Sequence, residues 1–254
     1  MQVSIVIPVL RDSVQLDGLL ASLARRADDA AVEIIVANGD ADDGAVAGVQ
    51  ARHAAVRWVA SPPGRGLQMN AGAAVASGRW LLFLHADTRL DERWLDALRQ
   101  AESHGAVGGA FRFTLDSPRR VARVIERGVA WRTRWLGLPY GDQGLFVRRD
   151  AFEALGGYRP YPLMEDIDLV RRLRRRGTLR LSPLPIRTSA RRWERDGWVR
   201  RSLRNLTLVA LYFGGVSPRR LARRYDARSD PSSTAPARPR WLGSRPGRGR
   251  TDAA

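Results

Sequence analysis

A carboxylate follows the most apolar short segment of the sequence. Residues 81–84 read Leu-Leu-Phe-Leu, and His85, Ala86 and Asp87 come directly after them. Because such a run predicts a buried strand, Asp87 stands where the strand passes into a loop. A carboxylate there can hold a divalent cation against a diphosphate, and the cation stabilises charge on the departing phosphate oxygen. The alternative is that Asp87 only caps the next helix, since aspartate is common at that position.

A second candidate site lies at residues 64–72, where Arg65 stands among glycines ahead of a predicted helix. The first turns of this helix carry two amide side chains, Gln68 and Asn70. Backbone N–H groups at a helix N-terminus, together with a guanidinium, suit a phosphate or a ribose. A Gly-Arg-Gly run alone is weak evidence, so its weight depends on its position before the strand at 81–84.

Three carboxylates, Glu165, Asp166 and Asp168, open a helix that carries one apolar stripe. Negative charge in a first helical turn also stabilises the helix dipole, which is a sufficient structural explanation. If one of them is a general base, geometry limits the choice. Adjacent helical residues diverge by about 100°, so only one of Glu165 and Asp166 can face an acceptor squarely.

The elements that position these residues follow from hydrophobic periodicity. Apolar runs at 3–9, 32–37, 56–60 and 80–84 alternate with segments of helical period, which predicts a parallel sheet with ligand-binding loops at the carboxyl ends of its strands. After residue 89 the regular alternation of strand and helix segments gives way to a mixed order. Further strands are predicted at 107–113 and 144–148 and, as two short strands, near Leu179 and Ile186; helices are predicted at 118–135, 165–176 and 198–213.

Four segments, taken in order, resemble the family 2 glycosyltransferases. They are Ile7-Pro8, the acidic glycine turn at 38–44, residues 65–72 and the His-Ala-Asp run at 85–87. The match covers roughly the first 215 residues. More narrowly, the sequence looks like a bacterial subfamily placed beside radical SAM enzymes and assigned to arsenosugar biosynthesis. The resemblance implies a GT-A fold, an α/β domain with a mixed, mainly parallel wound sheet flanked by helices.

The resemblance also implies an activity and a role for each candidate residue. The activity is inverting transfer of a sugar from a nucleotide diphosphate to a hydroxyl acceptor, either a small molecule or lipid-linked, assisted by Mg²⁺ or Mn²⁺. Asp166 is the implied base, with Glu165 beside it. Donor binding falls on Pro8, Asn38, Asp40, Arg65, Gln68, Asn70, His85 and Asp87. Acceptor binding falls on Asp142, Gln143, Arg192 and Trp193. The metal ligands are Asp87 and His85.

The sequence departs from the family pattern at two of these positions. Asn38 stands where the family has an aspartate that hydrogen-bonds the donor base, and His85 replaces the first aspartate of the metal motif. Imidazole suits Mn²⁺ better than Mg²⁺, and His85 can instead bond the diphosphate. The aspartates at 40, 42 and 43 can substitute for Asn38 or form a solvated turn. Structural alternatives also stay open for the other segments: a simple turn at 140–144, solvated arginines at 191 and 192, and core packing of Trp193.

Composition limits the remaining possibilities. The chain has no cysteine, so a metal must be bound by oxygen or imidazole ligands. The net charge of +17 is carried entirely by arginine and favours anionic partners such as nucleotide diphosphates, anionic lipid or nucleic acid.

The chain shows no basic leader and no uninterrupted apolar run of spanning length, so we expect a cytoplasmic protein that can contact the inner face of a membrane. The GT-A domain is predicted at 1–216, and a disordered basic tail at 217–254.

Three other functions compete with sugar transfer. The charge prompts a nucleic-acid-binding protein, but many arginines lie on helices with apolar stripes, no recognition motif is found, and no specific nucleic acid is expected. The departures at Asn38 and His85 motivate a second alternative, a catalytically inactive nucleotide-sugar binder. The presence of Asp87 and Asp166 argues against it and for activity. A nucleotidyltransferase would share the sheet and the metal carboxylate, but it would release pyrophosphate.

Overall fold

A computed structural model describes residues 1–24 and 32–226 of the chain. Within these residues eight strands form one sheet. They are β1 (Val3–Val9), β2 (Val32–Asn38), β3 (Arg57–Ala60), β4 (Trp80–Phe83), β5 (Thr88–Leu90), β6 (Gly108–Asp116), β7 (Leu145–Arg148) and β8 (Leu179–Ser189). Their spatial order is β3-β2-β1-β4-β7-β6-β8-β5.

Helices cover the sheet and carry several of the candidate residues. Those described are α1 (Ser13–Ala24), α2 (Gly44–Arg52), α3 (Arg65–Ala74), α4 (Trp94–Ser103), α5 (Arg120–Leu136), α6 (Arg149–Ala154), α7 (Glu165–Leu173), α8 (Arg191–Asp196), α9 (Trp198–Phe213) and α10 (Pro218–Asp226), with a 3-10 turn at Gly141–Gln143. Within the described ranges, every helix is too short or too polar to cross a bilayer.

The first four strands along the chain pair in parallel, β3-β2-β1-β4, as the alternation of strands and helices predicts. The side chains of β1 and β4 are almost all buried, which is why these two strands read as continuous apolar runs instead of alternating ones. β7 and β6 then add antiparallel pairs, and β6 pairs in parallel with β8. The predicted fold class is confirmed: a mixed, mainly parallel α/β sheet flanked by helices.

Two features of the sheet differ from the prediction. The two short strands predicted near Leu179 and Ile186 are one strand, β8, whose register against β6 shifts between Ala110 and Arg112. β5 was not predicted, because three residues give no periodic signal. β5 pairs antiparallel with β8, and the N–H of Ser189 donates to the carbonyl of Asp87 at 3.1 Å. The end of β4 is thereby held beside the segment that enters α8.

The folded chain continues past the domain boundary that the sequence predicts after residue 216. Residues 218–226 form α10, and the side chain of Leu221 is fully buried in a cluster with Met164, Ile167 and Leu208. The sequence obscures this helix because four of its nine residues are arginine. The disorder predicted for the rest of the tail concerns residues 227–254, which lie outside the described ranges.

Candidate active site

A cavity of about 300 Å³ lies beyond the carboxyl end of β4. Six predicted polar site residues line it, brought together from separate parts of the chain. They are Arg65 of α3, His85 and Asp87 after β4, Asp142 of the 3-10 turn, and Glu165 and Asp166 at the start of α7. Arg192 and Trp193 of α8 complete the predicted part of the lining, and α9 and α10 form the remaining wall.

Asp166 is held in a fixed orientation by backbone donors. Its Oδ2 accepts a hydrogen bond from the N–H of Gly141 at 2.7 Å, and its Oδ1 accepts one from the N–H of Ile167 at 2.8 Å. Gly141 has no room for a larger side chain. A Cβ there would lie 3.2 Å from Asp166 Oδ2 and 3.3 Å from His85 Nε2, so Asp166 and His85 both border this glycine.

The backbone just before these carboxylates is strained. Met164, the residue that precedes α7, has a φ of 67°, in the left-handed region that non-glycine residues rarely adopt. Its side chain is nevertheless buried in the cluster with Ile167 and Leu221. Packing in this cluster therefore stabilises the turn that directs Glu165 and Asp166 towards the cavity.

Glu165 is almost completely buried and forms an ion pair with Arg65. The two side chains approach to 3.3 Å between Arg65 Nη1 and Glu165 Oε1. Burial raises the pKa of Glu165, and the Arg65 charge opposes this rise. The buried Glu165 carboxylate thereby holds the guanidinium of Arg65, which is itself partly exposed, at the cavity.

Asp142 is the carboxylate whose ionisation the cavity perturbs most clearly. Burial raises its pKa to about 6, the Arg132 charge opposes the rise, and the Asp166 charge adds to it. The residue as a whole is partly exposed, but its Oδ1 is buried and accepts no hydrogen bond from the described residues. A carboxylate with a free acceptor atom and a raised pKa has the properties of a ligand-binding group.

The surroundings of the His85 imidazole disfavour its protonation. Burial lowers its pKa well below the ordinary value, and the charges of Arg65 and Arg192 lower it further. Its Nε2 is buried and has no hydrogen-bond partner within residues 1–24 and 32–226. A neutral imidazole with a free ring nitrogen can coordinate a metal or bond to a phosphate oxygen.

Asp87 does not cap a helix. The next helix, α4, begins seven residues later at Trp94, so the structural alternative does not apply. The carboxylate is buried, 8% exposed, and its Oδ2 lies 3.8 Å from Arg191 Nη2 and 3.9 Å from Arg192 Nη2. Asp87 therefore supplies negative charge within a strongly basic part of the cavity.

His85 and Asp87 both carry donor atoms of a kind that binds divalent cations. One offers an unpaired ring nitrogen and the other a carboxylate. In the part of the chain that the structure describes, no group of three or more histidine or acidic residues is clustered for metal binding. The remaining ligands would have to be phosphate oxygens and water, which is how Mg²⁺ sites at phosphate-transferring centres are commonly built.

Three predicted site residues are instead engaged with the backbone, and none of them lines the cavity. Gln68 donates from its side-chain nitrogen to the carbonyls of Val9 and Ala37, at 2.6 and 3.0 Å, and so ties β1 to β2. Asn70 makes two hydrogen bonds to the backbone of Tyr158. The side-chain nitrogen of Gln68 and one N–H and the oxygen of Asn70 are thereby engaged with the backbone, and contact of either amide with a donor stays a prediction.

Gln143 is the third of these residues, and the structure does not support its predicted contact with an acceptor. Its side-chain oxygen accepts from Arg132, from Thr133 and from the N–H of Tyr140, and its nitrogen donates to the carbonyl of Phe111. The side chain is buried, and it fixes the 3-10 turn that carries Asp142.

The residues predicted at the ends of β1 and β2 form a separate group beside the cavity. Asn38 accepts a hydrogen bond from the N–H of Asp40, and Asp40 pairs with Arg11 at 2.8 Å, which lowers the pKa of Asp40. Asp43 caps α2 by accepting from two backbone N–H groups, so its role is structural. Pro8, the other predicted donor residue, lies in β1 opposite Ala37.

The segment at 188–193 contributes both charge and packing. Arg191 bonds to Asp12 at 3.2 Å, whereas Arg192 lines the cavity. Trp193 is mostly buried against Phe113, with the Arg201 guanidinium 5.1 Å from its ring centroid. Core packing therefore accounts for most of the surface of Trp193.

Sequence reasoning missed the wall formed by α9 and α10. Arg201, Asn205 and Leu208 of α9 and Tyr225 of α10 line the cavity. The sequence shows the apolar stripe of α9, but it does not show that Arg201 of the same helix is buried at the cavity.

The chain matches a known family over well over half of its length. The family model described as Glycosyl transferase family 2 matches residues 4–161. No curated protein sequence matches the chain significantly.

Several solved glycosyltransferases have a similar fold. TarS of S. aureus, solved with UDP-GlcNAc, is 14% identical with a TM-score of 0.57, over 74% of this chain and 58% of that one. The mannosyltransferase PcManGT of Pyrobaculum calidifontis, solved with GDP-Man and Mn²⁺, is 16% identical with a TM-score of 0.57, over 74% and 56%.

Glucosyl-3-phosphoglycerate synthase of Mycobacterium tuberculosis is 17% identical with a TM-score of 0.56, over 72% of this chain and 70% of that one. Its structure contains Mn²⁺, UDP and glucosyl-3-phosphoglycerate. This chain thus spans less than two thirds of the TarS and PcManGT structures, and at these identities the likeness concerns the fold alone. The family match and the fold together identify the chain as a member of glycosyltransferase family 2, with a GT-A fold.

Proposed function

We propose that the protein transfers a sugar from a nucleoside diphosphate to an acceptor hydroxyl, with inversion at the anomeric carbon. The observation that carries the proposal is one cavity lined by a fixed carboxylate, Asp166, and by cationic groups suited to a diphosphate, Arg65 and Arg192. A base for the attacking hydroxyl and countercharge for the leaving group are the two requirements of a direct displacement. Relatives of the same fold bind UDP-GlcNAc or GDP-Man, which supports a nucleotide-sugar donor.

Asp166 is the proposed base. Each of its oxygens accepts one backbone hydrogen bond and keeps a second lone pair for the acceptor hydroxyl. Glu165 is less suited to this role, because it is buried and bound to Arg65. Asp142 has a free acceptor atom in the same cavity and is the proposed ligand of the acceptor's hydroxyl groups.

Asp87 and His85 are the proposed ligands of a Mg²⁺ or Mn²⁺ ion. When bound, the ion would supply positive charge against the leaving diphosphate. Arg65 and Arg192 add charge that is part of the chain itself. Asn38, Asp40 and Pro8 are the proposed contacts of the donor nucleoside, and Gln68 supports them by holding the ends of β1 and β2 together.

The acceptor is proposed to be a hydroxyl compound, either small or lipid-linked. Resemblance to the subfamily that stands beside radical SAM enzymes further suggests arsenosugar or other glycoconjugate biosynthesis. This narrower proposal rests on residues 188–193, which resemble a motif of that subfamily. Screening nucleotide sugars for transfer and hydrolysis, with Mn²⁺ present, identifies the donor first. Release of nucleoside diphosphate supports sugar transfer, and release of pyrophosphate supports the nucleotidyltransferase instead.

Replacing Asp166 with asparagine tests the proposed base. The variant lacks the proton acceptor, so we expect turnover to fall by about 100-fold or more. Donor and Mn²⁺ affinities, measured by calorimetry, should stay the same. The amide nitrogen must face one of the two backbone donors, so one hydrogen bond is lost and stability falls by about 1–3 kcal/mol. Rates are therefore measured well below the unfolding midpoint of the variant.

Glu153→Gln is the matched control, because it removes an exposed carboxylate outside the cavity. It should change neither rate nor affinity. Unchanged turnover in Asp166→Asn would reject Asp166 as the base and favour Asp142. Loss of donor binding in that variant would assign the carboxylate to the donor instead of the acceptor.

A further inference from the structure

An apolar surface on two helices is exposed and lacks a partner among the described residues. Trp131 and Trp135 of α5 are 61% and 69% exposed, and Leu203 and Leu206 of α9 are 58% and 63% exposed. A helix of a globular domain normally turns its apolar stripe to the core. Helix α9 buries Leu208 and Arg201 on its inward face, but it also carries a second apolar stripe that faces outward.

The stripe on α9 is regular. Val199, Leu203, Leu206, Ala210 and Phe213 follow one another at intervals of four and three residues, and all five are exposed. Contiguous exposed apolar stripes of this kind mark an interaction surface. We call Trp131 and Trp135 together with the α9 stripe the α5–α9 surface.

The two helices belong to the same part of the molecule. Ile125 and Val129 of α5 and Trp198 of α9 pack against one buried cluster, which also contains Trp193. The outward faces of α5 and α9 therefore flank a shared core. α9 lines the cavity as well, through Asn205, Leu208 and Val209.

The charges around the surface select the partner. α9 contains three arginines and no acidic residue, and α10 contains four arginines beside one aspartate. Arg223 and Arg224 of α10 border the same groove as Val199 and Leu203. A second copy of the chain docked here would bring arginine against arginine, which costs free energy.

An anionic bilayer satisfies both features of this surface. Tryptophan is enriched at the boundary between lipid headgroups and hydrocarbon, leucine and phenylalanine enter the acyl region, and arginines pair with anionic headgroups. We propose that the α5–α9 surface docks the protein on a membrane that contains anionic lipid. The docking itself does not depend on catalysis. If the proposed function also holds, an acceptor carried by the bilayer would lie about one helix diameter, some 10 Å, from the cavity.

Vesicle flotation of the full chain tests the proposal. We expect binding to phosphatidylcholine vesicles that contain phosphatidylglycerol, weaker binding as salt rises, and little binding to phosphatidylcholine alone. The double variant Leu203→Ser with Leu206→Ser should weaken binding at least about tenfold, because two apolar side chains no longer enter the bilayer. Arg223→Gln with Arg224→Gln should weaken binding to the anionic vesicles by about tenfold.

Matched controls keep the comparison specific. Val14→Ser changes an exposed apolar residue of α1, and Arg52→Gln with Arg57→Gln removes two exposed charges near the β3 edge. Both controls should bind like the unmodified chain, and unfolding midpoints confirm that each variant is folded. Absence of binding by the unmodified chain would overturn the proposal, as would full binding by the leucine variant, which would assign the attachment to another segment. A dimer that dissociates in the leucine variant, without vesicle binding, would assign the surface to self-association.

Discussion

The raised pKa of Asp142 means that its ionised carboxylate is suited to binding a ligand but lowers the stability of the fold. Its ordinary pKa of 3.8 rises to about 6, chiefly because the carboxyl is buried. Between about pH 4 and pH 6 the folded protein therefore binds more protons at this site than the unfolded chain. The contribution of Asp142 to the free energy of unfolding falls as pH rises through this interval and stays low above it.

Asp142→Asn should stabilise the protein above pH 6, in the absence of donor and cation. An amide bears no charge, so we expect the free energy of unfolding at pH 7.5 to increase by about 1–3 kcal/mol. At pH 4 the gain should vanish, because the native carboxyl is then protonated. Urea unfolding at both pH values, with Asp42→Asn as the exposed control, measures the effect. Equal stability of variant and native protein at both pH values would contradict the raised pKa.

The proposed metal ligands can be tested without turnover. Asp87→Asn removes the charged ligand, so Mn²⁺ binding in the presence of a nucleoside diphosphate should weaken about tenfold or more. His85→Ala should weaken Mn²⁺ binding more than Mg²⁺ binding, because imidazole prefers the softer ion. Electron paramagnetic resonance of free Mn²⁺ and calorimetry with Mg²⁺ measure both. Native affinity in both variants, or full activity in excess chelator, would remove the metal from the proposed mechanism.

At the residue scale, the carboxylates and Arg65 could be placed from the sequence because each lies at the end of a strand or the start of a helix. The amides could not. Gln68, Asn70 and Gln143 lie in equally suggestive positions, but the amide of each side chain bonds to backbone groups of distant segments. The sequence alone does not show which distant groups these side chains contact. A side-chain amide can form hydrogen bonds with backbone groups as readily as with a ligand.

At the scale of elements, strands β1 and β4 were predictable because their residues are almost all buried and predominantly apolar. β5 and α10 were not. β5 depends on pairing with β8, about a hundred residues later, and α10 has mostly arginine around a single buried leucine. Elements that are stabilised by tertiary contacts instead of local pattern give little signal in a sequence.

Leu221→Ala measures the contribution of α10 to the fold. The leucine is fully buried against Met164, Ile167 and Leu208, so we expect its truncation to cost about 2–5 kcal/mol. The same change should reduce turnover, because Met164 and Ile167 flank Glu165 and Asp166. Denaturant unfolding and kinetics test both parts. The exposed residue Leu206, changed to alanine, is the control, and it should leave stability within about 0.5 kcal/mol of native.

At the scale of the whole molecule, arginine dominates but is distributed unevenly. Part of the positive charge lines the cavity through Arg65 and Arg192, part surrounds the α5–α9 surface, and part lies in the segment 227–254. The net charge of +17 therefore does not point to one anionic partner. It combines charge suited to a diphosphate with charge suited to an anionic surface.

The last prediction concerns where the folded domain ends. A chain cut after Asp226 should keep its unfolding midpoint and its activity on a soluble acceptor, because the removed segment is rich in Arg, Pro, Ser and Gly and has little apolar content to add to a core. A chain cut after Ser217 also loses Leu221 and Tyr225, which exposes Met164 and Leu208 to water and opens one wall of the cavity. We expect this shorter chain to lose solubility or to unfold at a clearly lower temperature, with little activity. Thermal unfolding and transfer kinetics on the two truncations decide the matter. If both truncated chains are equally stable, the folded domain ends at residue 216. If the longer chain has a much lower unfolding midpoint than the full chain, residues 227–254 contribute to the folded domain.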